Sequence, residues 1–568
     1  MKSGRYAVPT CKDSEMTFRK IRLSFLASLI IVLSSFALGA IPPQFEITYA
    51  PAVHAAPLTG RLILVLAQKA SPEPRYQVGL NGAEILGIDV SNWQPGRATV
   101  IDSKVRGYPR ELADLPEGDY YAQAVLNVYT ELHRSDGHTI WVAINDGRQA
   151  TFQIAAGNLY SDPVPIHIGN SGISRLELNH VIPAPPAPQD TEWVKHVRIQ
   201  SQKLTQFWGH PIYVHATVLL PKGYADHPNV RYPSVYTMGH DVPFSFSTKP
   251  DTEAEKKAEA ERGLETGYEF YQQWDSDNFP RFIAISFEQQ TPFFPDSYSV
   301  NSANNGPYGD AIIEEVIPYL EEHFRMIRSG YARVIEGAST GGWQTLALQL
   351  QHPDFFGGAW VLQPDPIDFH RYQLVDAYKD DNAFATPSGP FTTAERPMRR
   401  SPTGQVNTTV RELSRMEDVL GSHGRSQYQF EGWEAVYGPV GEDGYPKALW
   451  DKETGKIDHE VANYMRDHGF DLLEYTRRNW PTLGPKLVGK LHFSCGDMDH
   501  FYLNLAVYNY QQFLQSTANP HYEGDFIFGR PMKGHSYHPF HWAEFVRRMA
   551  AEVKKNTPAG ENSSVWNY

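Results

Sequence analysis

The pentapeptide Gly337-Ala338-Ser339-Thr340-Gly341, followed by Gly342, stands between an apolar run from Ala332 to Ile335 and a helix-like run from Trp343 to Leu348. A serine on a sharp strand-to-helix turn has its hydroxyl lifted clear of the sheet. Glycines two residues to either side are required because a Cβ there would block the turn. The pattern therefore demands a strand that feeds directly into a helix, and it makes Ser339 a nucleophile.

A nucleophilic serine needs a general base, an acid that orients the base, and donors for the oxyanion, and on a turn of this kind they follow in the order Ser, acid, His. Residues 491–495 are an apolar strand candidate, followed by Gly496-Asp497-Met498-Asp499 and a helix-like run from Phe501 to Tyr508. Residues 526–528 are another strand candidate, and the loop after them carries Gly534-His535-Ser536-Tyr537-His538 ahead of a helix beginning near Trp542. His535 is the expected base. Asp497 and Asp499 are candidates for the acid, and Asp365, after the strand-like run 360–362, is a third. An acid in such a place is often only a turn or helix-cap residue.

These residues resemble the putative esterases of the α/β-hydrolase superfamily, the group that includes enterochelin esterases, S-formylglutathione hydrolases and mycolyltransferases. The resemblance runs from about Tyr213 to Met549. It rests on Leu220-Pro221-Lys222-Gly223-Tyr224 with Tyr232-Pro233-Ser234-Val235-Tyr236, on the Ser339 turn, on Gly496 to Asp499, and on Gly534-His535. It implies Ser339 as nucleophile, Asp499 as acid and His535 as base, with no cofactor. Backbone N–H groups would hold the oxyanion, one at Thr340 and one near His240 or Asp241, with Asp241 the residue singled out. Here the chain departs from the family, reading Met238-Gly239-His240-Asp241 where His-Gly is usual. Donation by backbone survives such an exchange of side chains if the loop keeps its shape.

A metal reading competes at His535, His538 and His541, with Asp497, Asp499 and His500 nearby, because zinc sites use clustered His and carboxylate ligands. Pro539 inside the histidine run spoils a continuous helical face, and a metal site would leave the serine turn without a purpose. No metal ligand is therefore assigned. A net charge of -14 argues against nucleic acid or an anionic membrane as the main partner.

Residues 23–40 are apolar apart from small Ser and Gly residues, follow Arg19, Lys20 and Arg22, and end in small residues, which reads as an export signal over 1–40. Translation starting at Met16 and a second cleavage site at Val53-His54-Ala55 are alternatives. The mature chain would be periplasmic or secreted, without stable membrane insertion. Cys11 lies ahead of the signal, which leaves Cys495 as a buried small hydrophobe with no disulfide partner.

At 568 residues the chain is too long for one domain. Short strands with turns over 57–180 predict an N-terminal all-β sandwich, whose Trp93, Tyr120, Tyr121 and Trp141 are either a carbohydrate platform or core. The Pro-rich stretch 181–190 reads as a semi-rigid linker. Residues 191–556 alternate strands with helices, including a helix over 311–324, as a doubly wound α/β sheet requires. The loop 301–308 is a candidate for the cleft wall.

An insertion at about 370–485, rich in Pro, Gly and aromatics, reads as a cap over Ser339. Trp433 and Trp450 are its candidate substrate-binding residues. The function read from all this is an exported serine esterase that cleaves a small-molecule or carbohydrate carboxylic ester. The alternatives are an acyltransferase acting on a sugar hydroxyl and a non-catalytic carbohydrate-binding protein with a hydrolase shell.

Overall fold

Strands covered on both faces read as unbroken apolar runs, and the central sheet is assembled from such runs. In the computed structural model, which describes residues 43–144, 150–169, 172–239, 242–561 and 566, eight strands form it. They are β1 (Val194–Ser201), β2 (Ile212–Leu219), β3 (Ser234–Met238), β4 (Ile283–Glu288), β5 (Arg333–Ala338), β6 (Gly358–Leu362), β7 (Leu491–Gly496) and β8 (Asp525–Gly529). The order across the sheet is β1-β2-β4-β3-β5-β6-β7-β8. β2 runs antiparallel to both of its neighbours, and every pairing from β4 onward is parallel.

That order sets the site. β5, β6, β7 and β8 are successive neighbours pointing the same way, so the loops leaving their C-terminal ends lie side by side. Those four loops carry Ser339, Asp365, Asp499 and His535. The helix expected over 311–324 is present in three joined pieces, Tyr308–Asp310, Ala311–Val316 and Ile317–His323. The middle piece is a π-turn in which the Ile317 N–H reaches back to the Ile312 carbonyl. Pro318, which has no N–H to donate, follows at once.

The N-terminal strands begin at Gln44–Tyr49, earlier than the expected boundary at residue 57. This first strand pairs with Ile173–Val181 and with Thr99–Ile101 and buries Phe45, Ile47 and Tyr49. Cleavage after Ala55 would remove it. Nine N-terminal strands are hydrogen-bonded into one sheet. Its long strand Leu58–Ala67 is apolar nearly throughout because both faces are covered: Leu62, Leu64 and Leu66 pack into the sheet's own core, while Ile63 and Val65 join the core of the catalytic region. Trp93 and Tyr120 are core residues of this sheet, so they offer no sugar platform. Residues 183–190 are exposed and without regular structure. The expected export signal over 1–40 lies outside the described residues, and among the described residues no helix is long and apolar enough to cross a membrane.

Between β6 and β7 the chain makes two hairpins, Ala385–Gly389 with Thr392–Glu395 and Pro397–Arg400 with Val406–Thr409, and four helices, Val410–Leu420, Gln429–Tyr437, His459–Asp467 and Leu472–Leu487. A buried ammonium ties the middle of this excursion together: Lys452 Nζ is 3.0 Å from Glu434 and 3.3 Å from Glu417. The two carboxylates also accept the backbone N–H groups of Leu449 and Phe430. The excursion is bound to the N-terminal sheet as well. Arg61 donates to the Val419 and Asp418 carbonyls at 2.8–3.1 Å, and Arg425 pairs with Asp89 at 2.9 Å.

Candidate active site

Ser339 has φ 58° and ψ -119°, a backbone state that an L-residue holds only when its surroundings enforce it. The enforcement is visible in the glycines. A Cβ on Gly337 would meet the Gly341 carbonyl at 2.6 Å, and one on Gly341 would stand 1.9 Å from the Met238 oxygen. Strand β3, the turn and the first helical residue thus approach closer than any side chain permits. The helix Thr340–Gln351 starts directly after the serine, so the Thr340 N–H, the expected oxyanion donor, has no acceptor within the helix. Asp241, the expected second donor, lies outside the described residues, as does His240.

The loops after β7 and β8 meet for the same kind of reason. A Cβ on Gly496 would come within 2.3–2.4 Å of the Lys533 and Gly534 carbonyls, and one on Gly534 within 2.3 Å of the His500 ring. With both positions open, Met498 N–H donates to the Lys533 carbonyl and Asp499 Oδ2 lies 2.7 Å from His535 Nδ1. The other carboxylate oxygen of Asp499 accepts the N–H groups of Phe501 and Leu503, so one residue both caps the next turn and orients the imidazole. With Nδ1 donating to the carboxylate, Nε2 carries the lone pair a base requires. Burial alone pulls the His535 imidazolium down. The Asp499 charge and hydrogen bond, with Asp365 behind them, outweigh it and leave the group above its ordinary range.

Asp497 is otherwise engaged, accepting from the Tyr508 hydroxyl at 2.6 Å and pairing with Arg530. Asp365 is the larger departure from expectation. It touches the serine and not the Nδ1 of His535: Ser339 Oγ donates to its Oδ1 at 3.2 Å, and its own N–H donates to the Ser339 carbonyl at 3.0 Å. Its Oδ2 collects the Tyr298 hydroxyl at 2.6 Å, Thr340 Oγ1 at 3.0 Å, Trp433 Nε1 at 3.1 Å and Gln429 Nε2 at 3.2 Å. Burial pushes this carboxyl upward, and the Tyr298 and Trp433 hydrogen bonds work against the shift. Among the described residues Ser339 Oγ hydrogen-bonds to Asp365 and not to His535. Catalytic hydrogen bonds commonly tighten only once substrate is bound.

Trp433 therefore stands at the site, while Trp450 does not. Both are equally buried, but Trp450 does not line the Ser339 cavity: its Nε1 donates to Ser414 Oγ at 3.0 Å, and its ring lies against Phe430 and Tyr372. The sequence suggested a shared role for the two tryptophans because both are large and lie in one insertion, but the second is core. The loop 301–308 likewise serves another purpose. Ser302 Oγ and Asn304 Nδ2 donate to the Ala435 carbonyl, so this loop holds the helix Gln429–Tyr437 from behind.

The rival histidines have partners of their own. The His538 ring packs on Trp542 with centroids 4.7 Å apart, and His541 precedes the final helix Trp542–Lys555. Tyr298 and Gln429 belong to no motif, so the sequence alone does not mark them. The one local hint is Tyr298 itself, in a polar stretch from Asp296 to Ser299 that proves to hold left-handed backbone.

Ser339 and Asp365 line a cavity of about 240 Å3 with Gln429, Phe430 and Trp433 of the insertion, Phe501 of the acid loop, Arg399 of the second hairpin and Leu80 of the N-terminal region. A larger cavity of about 580 Å3 beside Asp368, His370 and Arg477 holds none of the serine, acid or base.

Residues 212–369 match the model of the family described as "Putative esterase", a span from β2 to just past Asp365 that includes the Ser339 turn and ends before Asp499 and His535. Comparison with curated proteins found no match. Similar solved structures include a ferulic acid esterase at 15% identity, covering 64% of this chain and 98% of that one with a TM-score of 0.31. Another is an S-formylglutathione hydrolase from Staphylococcus aureus at 14% identity, covering 63% and 99%, with a TM-score of 0.31. A third is a ferulic acid esterase from Anaeromyces mucronatus in complex with ferulic acid, at 14% identity, covering 64% and 90%, with a TM-score of 0.27. The family likeness is thus to putative esterases and is confined to residues 212–369, less than a third of the chain.

Proposed function

We propose that the protein is an exported serine esterase in which Ser339, His535 and Asp499 act as nucleophile, base and orienting acid on a small-molecule or carbohydrate ester. His535 Nε2 takes the Ser339 proton as the hydroxyl attacks the ester carbonyl, and the Thr340 N–H receives the oxyanion. Collapse of the tetrahedral species expels the alcohol, protonated by His535, and leaves an acyl-enzyme. Water activated by the same base then releases the acid. The insertion between β6 and β7 serves as a cap over the serine, and the N-terminal sheet, curved over its own core as a sandwich-like body, braces that cap. Export rests on the apolar run 23–40 behind Arg19, Lys20 and Arg22.

The observation that carries this reading is the strained Ser339 turn on β5 together with the 2.7 Å His535–Asp499 pair two strands away across the same sheet edge. A fluorophosphonate probe tests it: the wild type should be labelled at Ser339, and Ser339→Ala should be unlabelled with kcat lower by about 10⁶. Labelling at another serine, or turnover surviving in Ser339→Ala, would remove the assignment.

A further inference from the structure

Three arginines lie within five residues on the approach to the site, and two are fully committed. Arg396 is buried, donates to the carbonyls of Ala383, Leu374 and Asn382, and pairs with Asp380 at 3.0 Å. Arg400 donates to the Asp499 carbonyl at 3.0 Å and to Asn504 Oδ1 at 3.3 Å, so it braces the acid loop. Arg399 between them is exposed, and among the described residues its guanidinium has no hydrogen bond or ion pair. Its guanidinium sits 5.5 Å over the Phe501 ring and lines the cavity that contains Ser339.

The other members of that cavity sharpen the contrast. Its walls are mostly apolar, and its one carboxylate, Asp365, is already satisfied by donors from Tyr298, Thr340, Gln429 and Trp433. The cavity thus has an anion that needs no cation and a cation with no anion. A guanidinium presents a planar fork of donors suited to a carboxylate or another oxyanion, and it binds such a group most strongly where apolar walls limit competing water.

We propose that Arg399 receives a negatively charged group of the substrate, so that the preferred ester carries a carboxylate or similar oxyanion within reach of the Ser339 cavity. This rests on the serine-esterase reading above and narrows it to anionic esters. It also gives the binding step a chemical consequence. The Arg399 charge opposes protonation of His535. An anion seated on Arg399 cancels that opposition, which makes the imidazole a stronger proton acceptor when a matching substrate is present.

The test is a selectivity ratio on two matched pairs of esters. One pair carries the charge on the acyl side, p-nitrophenyl hexanoate against the p-nitrophenyl monoester of adipic acid. The other carries it on the alcohol side, phenyl acetate against the acetyl ester of 4-hydroxybenzoate. In Arg399→Gln the anionic-to-neutral ratio of kcat/KM should fall about tenfold in at least one pair, with Arg399→Lys between the two because it keeps the charge and loses the fork. A ratio unchanged in both pairs, with turnover intact, overturns the inference and leaves the esterase reading standing. No turnover of any of the four esters, together with no fluorophosphonate labelling of Ser339, overturns both.

Discussion

The turn that carries Ser339 and the insertion between β6 and β7 reach the same cavity by different means. The backbone of the serine turn is shaped by backbone: a parallel strand, a helix that starts at the next residue, and glycines that let strand β3 and the turn close to distances no Cβ allows. The insertion is fixed by side chains: Arg61 on the Val419 carbonyl and Arg425 on Asp89, each acting over hundreds of residues, and Lys452 between two buried glutamates inside it. The groups it delivers, Gln429, Trp433 and Arg399, are also side chains. On the proposed reading, chemistry that tolerates little displacement belongs to the rigid sheet edge, and contact with the substrate belongs to an excursion whose sequence can change without moving the serine.

The comparison breaks first if the sheet edge is not where catalysis is decided. Asp499→Asn leaves the fold and the serine in place but disturbs the imidazole's orientation and removes the charge that supports its protonated form, so kcat should fall by about 10⁴. Asp497→Asn, whose native partners are Tyr508 and Arg530, should cost far less. Steady-state kinetics on one neutral ester decides the matter. Reversal of the two effects would mean that the acid is Asp497 and that the Gly496 to Asp499 turn has been misread.

Within the insertion the two tryptophans should separate. Trp450→Ala empties a packed site between Phe430, Tyr372 and Ser414, and loss of a buried aromatic of this size costs about 3–5 kcal/mol. Thermal or denaturant unfolding should show that loss, while kcat/KM per folded molecule on a small acetyl ester stays near the wild-type value. Trp433→Phe keeps most of the ring and removes the Nε1–H that Asp365 and Tyr298 share, which should cost only about 1–3 kcal/mol of stability. Its larger effect should be on kcat/KM for a bulky ester relative to the acetyl one. Equal kinetic losses in both variants would make the insertion a single structural block with no division between core and contact residues.

The same division explains what could be read from the sequence. Ser339, Asp499 and His535 sit in short motifs whose glycines have local causes, and the alternation of strand and helix around them announces the sheet. Asp365 was visible only as a possible acid after a strand. Its actual surroundings depend on Tyr298, 67 residues earlier, and on Trp433, 68 residues later, and no local pattern carries that information. Trp450 was misplaced because aromatic content marks burial and ligand contact alike. The N-terminal strands were legible as strands, but Ile63 and Val65 facing the catalytic core look the same in sequence as residues facing a core of their own.

The smallest expected effect concerns the one buried carboxylate that both regions share. Asp365 is anchored to the turn through Ser339 and Thr340 and to the insertion through Gln429 and Trp433, and its charge is among those that raise His535. The groups facing that imidazole are Asp499 and Asp365, which favour its protonated form, Arg399, which with burial opposes it, and the rings of His500 and His538. His535 must be neutral to accept the serine proton, so kcat/KM falls as pH drops through its pKa. Asp365→Asn removes one of the two favouring charges and keeps a side chain of the same shape, so the His535 pKa should fall and the acidic limb of the profile should move to lower pH. The backbone bond from residue 365 to the Ser339 carbonyl remains, so the plateau should fall only moderately, by about tenfold for an amide that cannot accept from all of its former donors. Arg399→Gln should move the same limb the other way. Opposite displacements in the two variants would tie the base to both regions electrostatically, whereas a limb that stays put in Asp365→Asn while the plateau drops would reduce Asp365 to a fastener of the turn.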